Sequence, residues 1–102
     1  MITIYTLPTC TYCSKVIEEL NKLKIAYRNV NADAPDNSDE VCTLEDLLHT
    51  AMYPILKIRA KDHLTYIIST NGSRESFEDR GYTVVYYESI SHLLYLIQKT
   101  IT

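Results

Sequence analysis

Residues 2 to 30 change their hydrophobic period twice within a span that holds only one supersecondary unit. Ile2 to Thr6 is a β-branched and aromatic run that stops at Leu7-Pro8-Thr9. Val16, Ile17, Leu20 and Leu23 then recur at helical spacing, with Lys15, Glu18, Glu19, Lys22 and Lys24 on the other face. Ile25 to Val30 reads as a second strand, interrupted by Arg28 and Asn29. A crossover of this length lays the two strands parallel in one sheet, with a right-handed connection. The chain is therefore expected to be an α/β domain built outward from this unit.

Downstream, Asn31 to Asn37 is a polar turn-forming cluster containing Pro35. A helix is expected from Ser38, with Asp39 and Glu40 well placed in its first turn and Val41, Leu44, Leu48 and Ala51 facing inward. It stops before Pro54. Ile55 to Ala60 and Leu64 to Ser69 read as an antiparallel hairpin around Lys61-Asp62-His63, and Asn71 to Glu75 as a loop. Tyr82 to Tyr87 reads as a further strand. Ile90, Leu93, Leu94, Ile97 and Ile101 form a last amphipathic helix capped by Ser89 or Ser91. At 102 residues this is one domain, 1–102, burying roughly two thirds of its unfolded surface.

Composition removes several classes. Two glycines and three prolines exclude collagen-like and low-complexity chains, and three cysteines are too few and odd in number for a disulfide scaffold. A formal net charge of −3 offers no footprint for nucleic acid or an anionic membrane. No secretory leader is expected, and no apolar run nears the ~20 residues that span a bilayer. The expectation is a cytoplasmic domain, where thiols stay reduced unless they are catalytic, metal-bound or redox-sensing.

Two of those thiols stand as Cys10-Thr11-Tyr12-Cys13, where the first strand hands over to the first helix. Cys10 falls at the first turn, where unpaired backbone N–H groups and the helix dipole favour an anion. Such positions commonly bring a cysteine pKa from ~8.5 to about 3.5–7.5, which makes Cys10 the nucleophile. Cys13 lies one turn further on, in reach of a mixed disulfide formed on Cys10, and reads as the resolving thiol. The pair can shuttle between dithiol and disulfide, carrying two electrons. Lys15 either adds positive potential or is simply a solvated lysine. The same spacing is also half of a zinc site, for which Cys42, His49, His63 and His92 are the remaining candidates, or a pair of structural thiols.

The stretch from Ile2 to Lys15, with Pro8-Thr9-Cys10-Thr11-Tyr12-Cys13 at its centre, resembles the active-site segment of a glutaredoxin, in the thioredoxin-fold superfamily. Met52-Tyr53-Pro54-Ile55-Leu56 extends the likeness. The resemblance implies a thioredoxin-like three-layer α/β fold: a central mixed four-stranded sheet, an extra edge strand near 82–87, and about three flanking helices. It implies a cis peptide at Pro54 facing the cysteines, with the backbone of Tyr53 open to glutathione or to an extended substrate segment. Thr9, Thr11, Tyr12 and Lys15 would line that groove, with Glu88 and Ser89 at the start of the last helix holding the γ-glutamyl end.

The implied activity is thiol–disulfide oxidoreduction by a monomer, with Cys10 attacking and Cys13 resolving. No cofactor is tightly bound, glutathione is the co-substrate, and the partners are disulfide-containing proteins such as ribonucleotide reductase, with thioredoxin reductase as another electron source. The alternatives are a glutathione-assisted iron–sulfur cluster held through Cys10 across a dimer, and a thioredoxin-fold binding module without redox turnover. This chain has Thr11 where the family has proline, Leu7 where it has a basic residue, and Ile55 in place of a polar one. Tyr86-Tyr87-Glu88-Ser89 stands where the family has a Gly-Gly turn, which makes close backbone approach harder.

Cys42, beside Val41, reads as a small apolar filler. Tyr5, Tyr27, Tyr66 and Tyr95 read as core or half-buried aromatics, and the three histidines as surface residues.

Overall fold

The computed structural model describes residues 2–48, 53–60, 64–69, 77–79 and 82–101. The opening unit forms as its periodicity implies: β1 (Ile2–Thr6), α1 (Thr11–Lys22) and β2 (Arg28–Asn31), with β1 and β2 parallel. A 3-10 turn (Pro35–Asn37) leads into α2 (Ser38–Leu48), then β3 (Ile55–Arg59), β4 (Thr65–Ser69), β5 (Phe77–Asp79), β6 (Tyr82–Tyr86) and α3 (Ile90–Ile101). Among the described residues the strands make one sheet of six, in the order β2-β1-β3-β4-β6-β5. The inward positions Leu48 and Ala51, the turn at 61–63 and the loop at 71–75 fall on side chains or residues outside those described.

Strand pleating divides the core in two. Ile2, Ile4, Leu56, Ile58 and Ile68 point to the side covered by Val16 and Leu20 of α1 and Leu93 and Ile97 of α3. Their sequence neighbours Tyr5, Ile55 and Ile67, with Val30 and Val84, point to the side covered by Val41 and Leu44 of α2. Each fully buried aliphatic side chain contributes about 1.5–3 kcal/mol. Two such clusters hold three layers together, the thioredoxin-like arrangement. Among the described residues no helix is long and apolar enough to cross a membrane.

The sheet differs from the four-stranded expectation on its far side. β6 pairs parallel with β4, Ile67 opposite Val84, and β5 then pairs antiparallel with β6, so β5 is the edge and β6 lies inside it. The second strand is also shorter at its start than expected. After α1 the chain closes a Schellman turn, with the N–H of Lys24 on the Asn21 carbonyl and that of Ile25 on the Leu20 carbonyl. Ile25 thereby ends the helix instead of pairing with β1, while its side chain still packs on the core. Lys24 adopts a φ of 57°, a conformation that costs any residue with a Cβ. Lys24→Gly is expected to raise stability by up to about 1 kcal/mol in a denaturant titration.

One polar cluster ties α2 to the sheet. The buried Tyr5 hydroxyl donates to Glu40 Oε2 at 2.7 Å, and Arg28 Nη2 donates to the same oxygen at 3.1 Å. The Tyr5 hydrogen bond, aided by the charges of Arg28 and Lys57, outweighs burial and holds the Glu40 carboxyl below its ordinary value of 4.5. Burial, then Glu40, pushes the Tyr5 phenol up. For Glu40 the folded pKa is depressed, so its contribution is full above the unfolded value and is lost as pH falls through the folded one. Glu40→Gln should therefore lower stability near neutral pH and flatten the acid limb of the stability–pH curve, measured by urea melts from about pH 3 to 7.

Candidate active site

β1, β2, β4 and β6 all run the same way, so their C-terminal ends share one edge of the sheet. In open α/β sheets that edge is where ligands bind. Both cysteines lie there. The Cys10 N–H donates to the Leu7 carbonyl at 3.1 Å, closing a turn that delivers Cys10 to the N-cap of α1 in extended conformation, φ −86° and ψ 101°. Its Sγ accepts the backbone N–H of Cys13 at 3.1 Å. A sulfur thus fills the capping role normally taken by a serine or aspartate oxygen.

Cys10 and Cys13 are joined as a disulfide with Cα atoms 5.2 Å apart. Cys13 is 2% exposed and packed under the helix, while Cys10 is only half-buried and faces the open side. Cys13 is thus the inner sulfur of the pair and Cys10 the outer one. Cys10 Sγ also lies 3.8 Å from the Tyr53 carbonyl oxygen. The Tyr53–Pro54 peptide is cis, as the resemblance implied, and Pro54 is buried at the start of β3. The half-buried Tyr53 side chain has its phenol pushed up to about 12, by burial first and then by Glu45.

Tyr12 flanks the pair on the helix side. It is 36% exposed, and its ring stacks on that of Tyr87 with centroids 6.1 Å apart and planes 20° from parallel. Partial burial raises the Tyr12 phenol pKa. The sequence places Tyr87 at the end of a strand and at the junction before the last helix, and points to no contact with the cysteine pair. The structure makes it part of the site, with its hydroxyl donating to the Pro54 carbonyl at 3.4 Å and its side chain 1% exposed. The available signal was parity: adjacent tyrosines at a strand end face opposite sides, so one of Tyr86 and Tyr87 had to fall on the α1 side.

Glu88 and Ser89 lie next to this corner and are exposed. Ser89 Oγ accepts the His92 N–H at 3.1 Å, and His92 Nδ1 accepts the Glu88 N–H at 3.1 Å. The start of α3 is thus capped by its own side chains. Thr9, Thr11 and Lys15 are exposed around the first turn of α1. Cys42 is a free, exposed thiol and not a core filler, because it is one residue, and about 100° of helix, from the inward-facing Val41. Tyr95 is likewise exposed, with Lys99 Nζ 6.0 Å from its ring. Among the described residues no three His, Cys, Asp or Glu side chains converge as metal ligands; His49 and His63 lie outside that set.

Chemically, the arrangement offers one accessible sulfur at a helix N-terminus, a second sulfur bonded to it from within, and a backbone carbonyl beside them. A glutaredoxin family model matches residues 2–54. Neither the curated proteins nor the solved structures give a match to the chain.

Proposed function

The chain belongs to the glutaredoxin family, and from that premise we propose that it reduces disulfides by thiol exchange, with Cys10 attacking and Cys13 resolving. In the dithiol form, the Cys13 N–H and the first turn of α1 stabilise the Cys10 thiolate. That thiolate attacks one sulfur of a substrate disulfide. The substrate S–S bond breaks, a mixed disulfide forms on Cys10, and the departing thiolate takes a proton from solvent. Cys13 then loses its proton and attacks Cys10 Sγ, releasing the second substrate thiol and leaving the Cys10–Cys13 disulfide. Two electrons pass to the substrate, and an external thiol returns them.

The observation that supports this reading best is the disulfide itself: an outer and an inner cysteine, joined at a helix N-cap beside the Tyr53 carbonyl. The backbone of Tyr53 is the element proposed to align the substrate chain. No bound cofactor enters these steps. Electrons come from glutathione as co-substrate or from a dithiol reductase of the thioredoxin reductase kind, acting on a monomer.

The two donors are separated by measuring reduction of the Cys10–Cys13 disulfide by glutathione and by NADPH with thioredoxin reductase, each coupled to a protein disulfide. Turnover with at least one donor is expected. Failure with both, on protein shown to be folded, would sink the proposal.

A further inference from the structure

The exchange chemistry needs two sulfurs and a helix end, but the site carries an additional aromatic wall. Tyr87 follows β6 with its N–H on the Ser69 carbonyl at 2.9 Å, which turns its side chain to the α1 side of the sheet. There one side chain joins two elements: its ring supports Tyr12, the residue beside Cys10, and its hydroxyl holds the Pro54 carbonyl. Tyr12 is accordingly a flat, half-open surface fixed from beneath.

The neighbouring helix end is partly occupied by its own side chains and carries a negative charge. A helix N-terminus next to a reactive sulfur would ordinarily seat the carboxylate of a small acidic disulfide through its free N–H groups. At α3, the Glu88 and His92 N–H groups are engaged by His92 Nδ1 and Ser89 Oγ. The carboxylate of Glu88, exposed at the same corner, opposes a negative ligand further.

Building on the thiol–disulfide reading, we propose that the Tyr12–Tyr87 stack selects disulfides carried on a polypeptide over free glutathione disulfide. Tyr12 contacts the substrate, and Tyr87 is a positioning residue that acts through it. A polypeptide brings apolar side chains beside its cystine, and these pack on a ring whose orientation is already fixed, so little freedom is lost on binding. A small anionic disulfide lacks that packing, and at the helix end it meets a capped His92 N–H and the Glu88 carboxylate.

The test is a single-turnover reaction of the protein after reduction with dithiothreitol and desalting. It is mixed with excess insulin or with excess glutathione disulfide, quenched in acid and scored by alkylation of the remaining thiols. The reduced wild type should react with insulin about ten times faster, per mole of disulfide, than with glutathione disulfide. Tyr12→Ala, at an exposed position, and Tyr87→Leu should each slow the insulin reaction about tenfold through a weaker second-order rate constant. The glutathione disulfide reaction should be slowed at least about threefold less than the insulin reaction in each variant, and Tyr87→Phe, which keeps the ring, should retain most of the preference. A wild type that favours glutathione disulfide, or a Tyr12→Ala variant that slows both reactions equally, overturns the selectivity. Reaction with neither disulfide would overturn the thiol–disulfide reading itself, and the selectivity with it.

Discussion

Replacing Cys10 with serine abolishes turnover of a disulfide substrate, with a loss of at least about a thousandfold, because the thiolate is the nucleophile and a serine hydroxyl is not ionised near neutral pH. The Cys13→Ser variant behaves differently. Its Cys10 still attacks, but the inner sulfur needed for release is gone, so the reaction stalls as a mixed disulfide on Cys10, visible as added mass that dithiothreitol removes. Cys42→Ser, at an exposed position on α2 and outside the joined pair, leaves turnover unchanged. The structure orders these three outcomes through accessibility: Cys10 is half-buried and at the helix cap, whereas Cys13 is 2% exposed. Full activity in Cys10→Ser, or a mixed disulfide that accumulates on Cys13, would reverse the assignment.

The second large effect concerns stability. Val84 is fully buried on the α2 side of the sheet, paired with Ile67 of β4 on one side and Phe77 of β5 on the other. A carboxylate buried among Val41, Leu44, Ile55 and Ile67 costs several kcal/mol, against a total stability of about 5–15 kcal/mol for a domain of this kind. Val84→Asp should therefore lower the Tm by about 20 °C or leave the protein unfolded at room temperature. Val84→Ala, which only removes methyl groups, should cost about 2 kcal/mol. The family match ends at residue 54, so this pair of variants examines the half of the domain that rests on β6 being an integral strand. A Val84→Asp protein with wild-type stability would mean that β6 does not pack in the sheet.

Periodicity carried much of the fold. The strand, helix and strand of residues 2–31 and the hairpin strands β3 and β4 were legible because an apolar repeat of two or of about 3.6 persists over several residues. β5 was not, since Phe77–Asp79 is three residues long and shows no repeat by itself. The start of β2 was misplaced because Ile25 is apolar for another reason: its N–H closes α1 while its side chain packs on the core. Cys42 reads as a filler because it borders the apolar stripe at Val41, and one step of helix rotation turns it out.

The candidate site divides in the same manner. Cys10 and Cys13 announce themselves by spacing at a strand-to-helix junction, and Pro54 by its place before β3. Tyr87 does not, because its contact with Tyr12 depends on β6 lying parallel beside β4 and ending with Tyr87 on Ser69, a long-range register that no local pattern encodes. The His92 cap was also hidden. Ser89 followed three residues later by a histidine is not the usual Ser-x-x-Glu pairing, so this reciprocal cap is visible only in the geometry.

The most direct measurement is a redox titration of the intact protein against dithiothreitol buffers of graded ratio, with free thiols trapped by alkylation and located by peptide mass spectrometry. The expected result is a single two-electron transition in which Cys10 and Cys13 lose their alkylated forms together and regain them reversibly, while Cys42 stays alkylated throughout. Independent oxidation of Cys10 and Cys13, or a disulfide that includes Cys42, would contradict the proposed exchange chemistry.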